Sequence, residues 1–441
     1  MDLVLLSRLQ FAMTVFFHFI FVPLSIGLGL WIACLETTYL KTKDEKWRTM
    51  ADFWGKIFAI CYAFGIVTGF AMTFQFGTNW GAYSEYMGDI FASPLALEAL
   101  VAFFLESTFF GVWLATGRNR QKLKTISMWL VTLGMSISAL WIITANGFMQ
   151  NPVGYTLAED GSKVLMSDFG AVMTNPYVWY MLIHTLLAAY LLGGAVVVGI
   201  SAYHLLKKSN VDIFKTSMKY GLVIMLIAAL LLPPLGSSYG QYISEVQPLK
   251  AAAMDAVWES GEGHPLYLIQ IPGKDGNIVA ALGIPKLGSF FLTGDFNGEV
   301  KGLNEYDEIP PVPIVFTSFR LMLILGAVFI IQAALGLFLI RKKDFGESKI
   351  SRKYMKMMMY SILLPYIAIM LGWVVAEVGR QPWIVYGLLK TPDAVSATVP
   401  AIQVAFTLVL LTLFYLILGI LNIYLIRRHV IAGPKPLKEG N

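Results

Sequence analysis

The sequence predicts an all-α integral membrane protein with about nine transmembrane helices. Hydrophobic residues make up 57% of the 441 residues, charged residues make up only 14%, and the mean hydropathy is +0.65. A soluble domain carries nearer a quarter of charged residues. Long apolar runs recur along the chain, and about 20 apolar residues are enough to cross a bilayer as a helix. No segment alternates as a barrel strand would, so helices are the predicted way to satisfy the backbone in lipid.

Nine apolar segments are the predicted spans. They cover residues 11–35, 54–76, 94–116, 126–147, 177–204, 218–236, 312–340, 357–379 and 401–426. Their spacing divides the chain into three predicted regions. Residues 1–236 hold six membrane helices, residues 237–311 form a long polar outer loop, and residues 312–441 hold three more helices and a tail.

Charges in the connecting segments predict an outside N-terminus and a cytoplasmic C-terminus. Basic residues follow the first, third, fifth and seventh spans, whereas 77–93 has no Lys or Arg and 149–176 has only Lys163. Cytoplasmic loops carry the excess of basic residues. The tail is also basic, with Arg427, Arg428, Lys435 and Lys438. The net charge of +5 follows from this asymmetry and gives no reason to expect nucleic-acid binding.

Two histidines lie inside the predicted spans at a similar depth near the outer side. His18 is in the first span and His184 in the fifth. Ionisable side chains in hydrocarbon are costly, so we interpret both as candidate metal or haem ligands. The alternative for each is a hydrogen bond to a neighbouring carbonyl. The other histidines, His204, His264 and His429, are interpreted as surface residues, and the two cysteines, Cys34 and Cys61, as small buried hydrophobic residues without a disulfide.

Met322 becomes a candidate haem ligand because of its neighbour. Arg320 lies two residues earlier in the same apolar span, where an arginine requires an anion such as a carboxylate or a haem propionate. Histidine and methionine form a known axial pair that raises the potential of a haem.

Three carboxylates lie inside the predicted spans: Glu98 and Glu377 at the depth of the two histidines, and Glu106 nearer the cytoplasmic side. Glu98 and Glu106 are eight residues apart on the third span, which corresponds to about 12 Å in depth and about 80° around a helix axis. Such a ladder would relay protons from the cytoplasm, or both groups would be structural carboxyls bonded to Ser138 or Thr144. Glu377 ends the eighth span, where it would either pair with Arg380 one turn later or ligate iron.

Several motifs in the right order give the chain a specific resemblance. They are Ser7-Arg8-Leu9-Gln10-Phe11-Ala12, Phe74-Gln75-Phe76-Gly77-Thr78-Asn79-Trp80, Phe103-Phe104-Leu105-Glu106-Ser107-Thr108, Ser138-Ala139-Leu140-Trp141, Asn146-Gly147-Phe148-Met149-Gln150-Asn151-Pro152 and Gly379-Arg380-Gln381-Pro382-Trp383. With these motifs the chain resembles subunit I of cytochrome bd-type quinol oxidases over almost its whole length.

The resemblance implies an electrogenic, non-pumping quinol oxidase in a bacterial or archaeal cell membrane. Such an enzyme oxidises quinol at the outer face and reduces O2 to water with cytoplasmic protons. The implied cofactors are a low-spin haem b, a high-spin haem b, and a haem d or a further haem b in its place. The implied partners are a second large membrane subunit and a small one-span accessory subunit.

Residue matching then implies a role for each candidate. His184 and Met322 match the axial ligands of the low-spin haem, with Arg320 beside it, and His18 and Glu377 match ligands of the two high-spin haems. Glu98 lies close to the high-spin pair. The remaining matches are Trp373 between haems, Arg380 beside the cofactors, and Glu106 with Ser138 on a proton route.

The outer loop corresponds to the quinol-binding loop in its short form. Lys250 and Asp255 would flank a quinol hydroxyl if the stretch around them is helical. The family usually has glutamate where this chain has Asp255, and an acidic residue is missing after Gly236-Ser237. Because aspartate is one methylene shorter, the contact with the quinol changes.

Three alternative functions remain at this stage. A proton-coupled transporter would use Glu98, Glu106 and Glu377 as ion ligands and would bind no haem. An electron-transfer cytochrome would oxidise quinol without reducing O2. The retained set of candidate ligands argues against a scaffold subunit.

Overall fold

The computed structural model describes residues 2–434 and consists mainly of long helices. The helices are α1 Leu3–Thr42, α2 Glu45–Thr78, α3 Gly81–Leu97, α4 Phe104–Ala115, α5 Gln121–Gln150, α6 Phe169–Thr174, α7 Pro176–Leu206, α8 Val211–Val246, α9 Pro248–Asp255, α10 Leu287–Thr293, α11 Val312–Ile340, α12 Lys349–Tyr360, α13 Leu363–Val378 and α14 Ala401–Ala432. The predicted basic tail residues Lys435 and Lys438 lie outside the described residues.

The number of membrane-crossing helices agrees with the prediction. Eight helical segments of residues 2–434 are long and apolar enough to span a bilayer, and α12 with α13 makes a ninth if that pair is one span. These two helices are bent by 42° at the break between them. The fold class is therefore confirmed as an all-α integral membrane protein, while the orientation stays a prediction.

Most helices extend beyond the apolar spans read in the sequence, and two boundaries differ most. The third span begins at Gly81 rather than near residue 94, and a π-helical turn, Glu98–Phe103, joins α3 to α4. The sixth span continues through α8 to Val246, past the boundary set at residue 236. Polar residues such as Ser237 and Gln241 ended the apolar run early, although the backbone stays helical there.

Close helix packing at glycines forms the centre of the bundle. A Cβ atom on Gly27 of α1 would lie 2.2 Å from the carbonyl oxygen of Ala189 on α7, and one on Gly194 would lie 2.8 Å from that of Gly221 on α8. These positions have no room for a side chain. Helices α1, α7 and α8 therefore approach backbone to backbone, and large side chains such as Trp54 and Phe58 of α2 fill the core around them.

The outer segment is more structured than its lack of periodicity indicated. Besides α9 and α10 it contains paired strands and a 3₁₀ turn. The strand pairs of the whole fold are short and antiparallel: β1 Tyr155–Leu157 with β2 Val164–Met166, β3 Gly261–Glu262 with β6 Glu299–Val300, β4 Leu266–Pro272 with β5 Asn277–Ile284, and β7 Trp383–Val385 with β8 Leu389–Lys390. Gln270 of β4 donates to the carbonyl oxygens of Asp255 and Ala256, which fastens this hairpin to the end of α9.

Two minor interpretations from the sequence were wrong. His204 is buried rather than at the surface, because the short turn between α7 and α8 stacks its ring on Phe214 with centroids 3.9 Å apart. Cys34 is exposed on the outside of the bundle, whereas Cys61 is buried as expected. Both cysteines are free.

Candidate functional site

Glu377 lies at the end of α13, where the end of α5 packs against it. One carboxylate oxygen accepts hydrogen bonds from Asn146 Nδ2 at 2.9 Å and from Gln150 Nε2 at 3.2 Å. The other oxygen is paired with Arg380 one turn later. The ion pair considered from the sequence is therefore present, and the role of Glu377 as an iron ligand stays a prediction.

Arg380 is buried with most of its hydrogen-bonding capacity unused. Its side chain is 2% exposed, and its Nε and Nη1 atoms have no hydrogen-bond partner among residues 2–434. Buried polar groups are nearly always satisfied, so unpaired guanidinium donors indicate an anionic or acceptor group that completes the site. Arg320 has the same property at its buried Nε atom.

His18 lies on α1 and faces α2. Its Nδ1 atom is 2.9 Å from Thr68 Oγ1, which fixes the orientation of the ring. A Cβ atom on Gly69 would lie 3.2 Å from Cε1 of the same ring, so the imidazole packs directly on the α2 backbone. The next residue, Phe19, contacts Trp373 of α13 with ring centroids 6.0 Å apart. The predicted ligand and the predicted electron-transfer tryptophan therefore belong to one region of the bundle.

His184 and Met322 lie on α7 and α11. The Nδ1 atom of His184 is buried and has no hydrogen-bond partner in the described chain, so the predicted alternative of a carbonyl bond is absent at this nitrogen. Met322 packs against α13, where a Cβ atom on Gly372 would lie 3.1 Å from its sulfur. Their pairing as axial ligands stays a prediction.

Glu98 and Glu106 both face α5. Ser138 Oγ donates to Glu98 at 2.9 Å, and a Cβ atom on Gly134, one turn earlier on α5, would lie 2.8 Å from the Cβ of Glu106. Glu106 also accepts a hydrogen bond from Tyr62 at 3.3 Å. The π-helical turn between the two glutamates widens the helix, so the predicted 80° separation, which assumes α-helical geometry, does not apply.

Helix α9 carries Lys250 and Asp255, the two predicted quinol contacts, and it is helical as that prediction required. Asp255 is 8% exposed and accepts from Arg320 at 2.7 Å, so the anion that Arg320 requires is supplied by this carboxylate. Lys250 is 1% exposed and donates to Gln150 Oε1 at 2.5 Å and to Tyr177 at 3.2 Å.

Burial shifts the pKa of both groups on α9. It lowers the pKa of the Lys250 amine well below the usual range, and the nearby Arg380 charge acts in the same direction. It raises the pKa of the Asp255 carboxyl, while the Arg320 charge opposes the shift. Burial thus disfavours the charged form of both side chains, and each has a specific partner: Gln150 for Lys250 and Arg320 for Asp255.

Sequence reasoning missed the polar residues that hold the candidates in place. Gln150 and Asn146 contact Glu377, Thr68 contacts His18, and Tyr62 contacts Glu106. Gln150 and Asn146 both belong to the motif 146–152, so a signal was present for these two. Thr68 and Tyr62 had no such signal, because the sequence of an apolar helix does not show which side chain of a neighbouring helix each of its residues contacts.

Comparison with known proteins agrees with this arrangement of the chain. The family model described as cytochrome bd terminal oxidase subunit I matches residues 6–434. Cytochrome bd ubiquinol oxidase subunit 1 of Bacillus subtilis is 40% identical, with 98% of this chain and 94% of that protein covered. Cytochrome bd-II ubiquinol oxidase subunit 1 of Escherichia coli is 33% identical, with 99% and 98% covered.

A solved structure has the same fold. The bd oxidase from Geobacillus thermodenitrificans superposes with a TM-score of 0.89 at 29% identity, and the match covers 98% of this chain and 99% of that one. The family match, the relatives and the fold agree along nearly the whole length. The chain belongs to the family of cytochrome bd terminal oxidase subunit I.

Proposed function

We propose that this chain is the haem-bearing catalytic subunit of a membrane quinol:oxygen oxidoreductase. Membership of the family supports a membrane quinol oxidase that uses haem and works with a second subunit. The finer statements, on outer-face quinol oxidation, O2 reduction and cytoplasmic protons, are part of the proposal. So are the small accessory subunit and the location in a bacterial or archaeal cell membrane.

One observation carries the proposal: α9 bonds to residues that adjoin two of the candidate haem ligands, Glu377 and Met322. At one end of α9, Lys250 is bonded to Gln150, which is bonded to Glu377. At the other end, Asp255 is paired with Arg320, two residues before Met322. A quinol held by Lys250 and Asp255 would therefore lie next to side chains that hold the electron acceptors.

The side chains present fit haem. The donor set is two imidazoles, a thioether and a carboxylate, which are the kinds of ligand that bind haem iron. The unpaired guanidinium atoms of Arg380 suit an anionic group such as a propionate. In the proposal, His184 and Met322 would hold the low-spin haem b, whereas His18 and Glu377 would hold the high-spin haems. When bound, haem supplies electron transfer and the O2 chemistry.

The protein's own contribution is to hold groups and move protons. Lys250 and Asp255 would bind the quinol head group, and burial lowers the pKa of the lysine and raises that of the aspartate, which are the directions that ease proton exchange. Glu106 and Glu98, lined up along α5 with Ser138, would bring protons from the cytoplasmic side. Protons released outside and consumed from inside would charge the membrane without a pump.

The experiment is quinol-driven O2 consumption by the purified two-subunit complex. We expect turnover with a short-chain quinol, loss of low-spin haem in His184→Ala, and loss of turnover with it. His204→Ala is the matched control, because this histidine lies on the same helix but packs on Phe214 at the other end of α7. A haem-free or inactive parent complex, or an unchanged His184→Ala variant, would contradict the proposal.

A further inference from the structure

We propose that Gln150 is a positioning residue that couples the quinol-contact lysine to the carboxylate of Glu377. The inference rests on the proposed function, since it assigns Lys250 to the quinol and Glu377 to a haem. It adds a residue that touches neither group itself. The two ends of its buried side-chain amide point in opposite directions, toward Lys250 and toward Glu377.

The Gln150 side chain lies at the end of α5, between the outer segment and α13. Gln150 is fully buried, with 0% of its surface exposed. The Oε1 atom accepts from Lys250 at 2.5 Å, from Gln247 at 3.0 Å and from Tyr177 at 3.4 Å. All three donors belong to the side of the outer segment and α7.

The Nε2 atom of the same amide points the other way. It donates to Glu377 Oε1 at 3.2 Å and to the backbone carbonyl oxygen of Ala376 at 3.2 Å. Both acceptors belong to α13, which also carries Trp373 and, through Gly372, packs on Met322. The amide thus forms the direct link between the lysine and the carboxylate.

Glutamine is the side chain of this size that offers an acceptor to the Lys250 amine and a donor to the Glu377 carboxylate. The amine of Lys250 donates to its partner, and an ionised carboxylate such as Glu377 only accepts. Glutamate at position 150 would serve the lysine but would place two carboxylates against each other. Leucine would serve neither, and it would leave both groups buried without this partner, which costs more than a missing contact at the surface.

The link has a functional consequence. Lys250 has its pKa lowered by burial and by Arg380, so its protonation depends on the charges around Glu377. Through the amide, a change at the lysine alters the hydrogen bonding of the carboxylate, and the reverse holds as well. Loss of Gln150 is therefore expected to affect quinone binding and the haem near Glu377 together.

The test uses the complete complex with three variants. Gln150→Leu removes both halves of the link, Gln150→Glu keeps the half toward Lys250, and Gln332→Leu is the matched control. Gln332 is also a buried glutamine, 5% exposed and bonded to Ser361, on α11. The readouts are equilibrium titration with a short-chain quinone, and the midpoint potential and carbon-monoxide-difference spectrum of the high-spin haems.

Gln150→Leu is expected to weaken quinone binding about tenfold, the effect of losing one buried hydrogen bond, and to shift the high-spin haem signals. Gln150→Glu is expected to bind quinone within about threefold of the parent while the haem signals still shift. Gln332→Leu is expected to change neither readout.

Several outcomes would overturn the inference. They are an unchanged Gln150→Leu variant, a change in only one of its two readouts, equal loss of quinone affinity in Gln150→Glu, or the same changes in Gln332→Leu. If Gln150→Leu does not assemble, Gln150→Glu decides: retained quinone affinity with shifted haem signals supports the link, and lost quinone affinity or unchanged haem signals overturns it. A parent complex without haem or quinone binding would instead refute the proposed function.

Discussion

The ion pair between Asp255 and Arg320 gives the most direct prediction about the quinol site. Asp255→Asn keeps the shape of the side chain and one oxygen acceptor but removes the charge. In the parent, the carboxylate is 8% exposed and accepts from Arg320 at 2.7 Å. A quinol hydroxyl that donates to the carboxylate makes a hydrogen bond to a charged group, which contributes about 1.5–3 kcal/mol, whereas its bond to the amide oxygen is neutral and contributes about 0.5–1.5, so the loss is about 1–1.5 kcal/mol. We expect the KM for quinol to rise about tenfold.

The assay separates this effect from general damage. Quinol KM is measured beside the midpoint potential of the low-spin haem without quinol, which should rise because Arg320 keeps an uncompensated positive charge two residues from Met322. Asp255→Glu keeps the charge and introduces the side chain usual in the family, so its KM should stay nearer the parent value. Asp275→Asn, at the exposed tip of the outer hairpin, is the control. A KM within twofold of the parent together with an unchanged potential would refute the reasoning.

Three further predictions follow from other contacts. Lys250→Met should flatten the pH dependence of thermal unfolding. The pKa of Lys250 in the folded protein lies below its unfolded value near 10.4, so between these two pH values the unfolded state binds more protons. The parent should therefore gain stability from this lysine as the pH rises through that range, and the variant should not. An equal slope in both proteins would contradict this. Glu98→Gln should slow O2 consumption at least about tenfold with little change in quinol KM, because proton delivery rather than quinol binding is impaired, and a normal rate would contradict the proton route. Gly372→Ala should disturb the low-spin haem spectrum, since its Cβ would lie 3.1 Å from the Met322 sulfur, whereas Gly326→Ala, which meets nothing within 4 Å, should leave it unchanged. Equal spectra for the two would count against Met322 as a ligand.

The fold class and the number of spans were predictable because long apolar runs are enough to identify membrane helices. The span 312–340 agrees with α11 to the residue, since apolar residues begin and end it sharply. Where polar residues continue a helix beyond the apolar run, as in α8 up to Val246, the span predicted from composition ends too early. The break between α12 and α13 and the π-helical turn at Glu98 depend on local backbone geometry that apolar periodicity does not carry.

The candidate site was predictable only in part. The residue types and motifs identified Glu377, Arg380, Lys250 and Asp255. The ion pair of Glu377 with Arg380, one of the two alternatives from the sequence, is present. The sequence did not indicate that Asp255 is the partner of Arg320, because 65 residues separate them and only the folded chain brings α9 against α11. The same holds for Gln150, whose two-sided bonding depends on three separate elements meeting at the end of α5.

The most direct test of the central claim is an absorption measurement on the purified complex. It consists of a reduced-minus-oxidised spectrum followed by a carbon-monoxide-difference spectrum. We expect haem bands that include a species responding to carbon monoxide: a long-wavelength red band if haem d is present, or b-type bands alone if haem b takes its place. Haem without a carbon-monoxide response would favour an electron-transfer cytochrome over an oxidase, and a folded, haem-supplied complex with no haem would contradict the account.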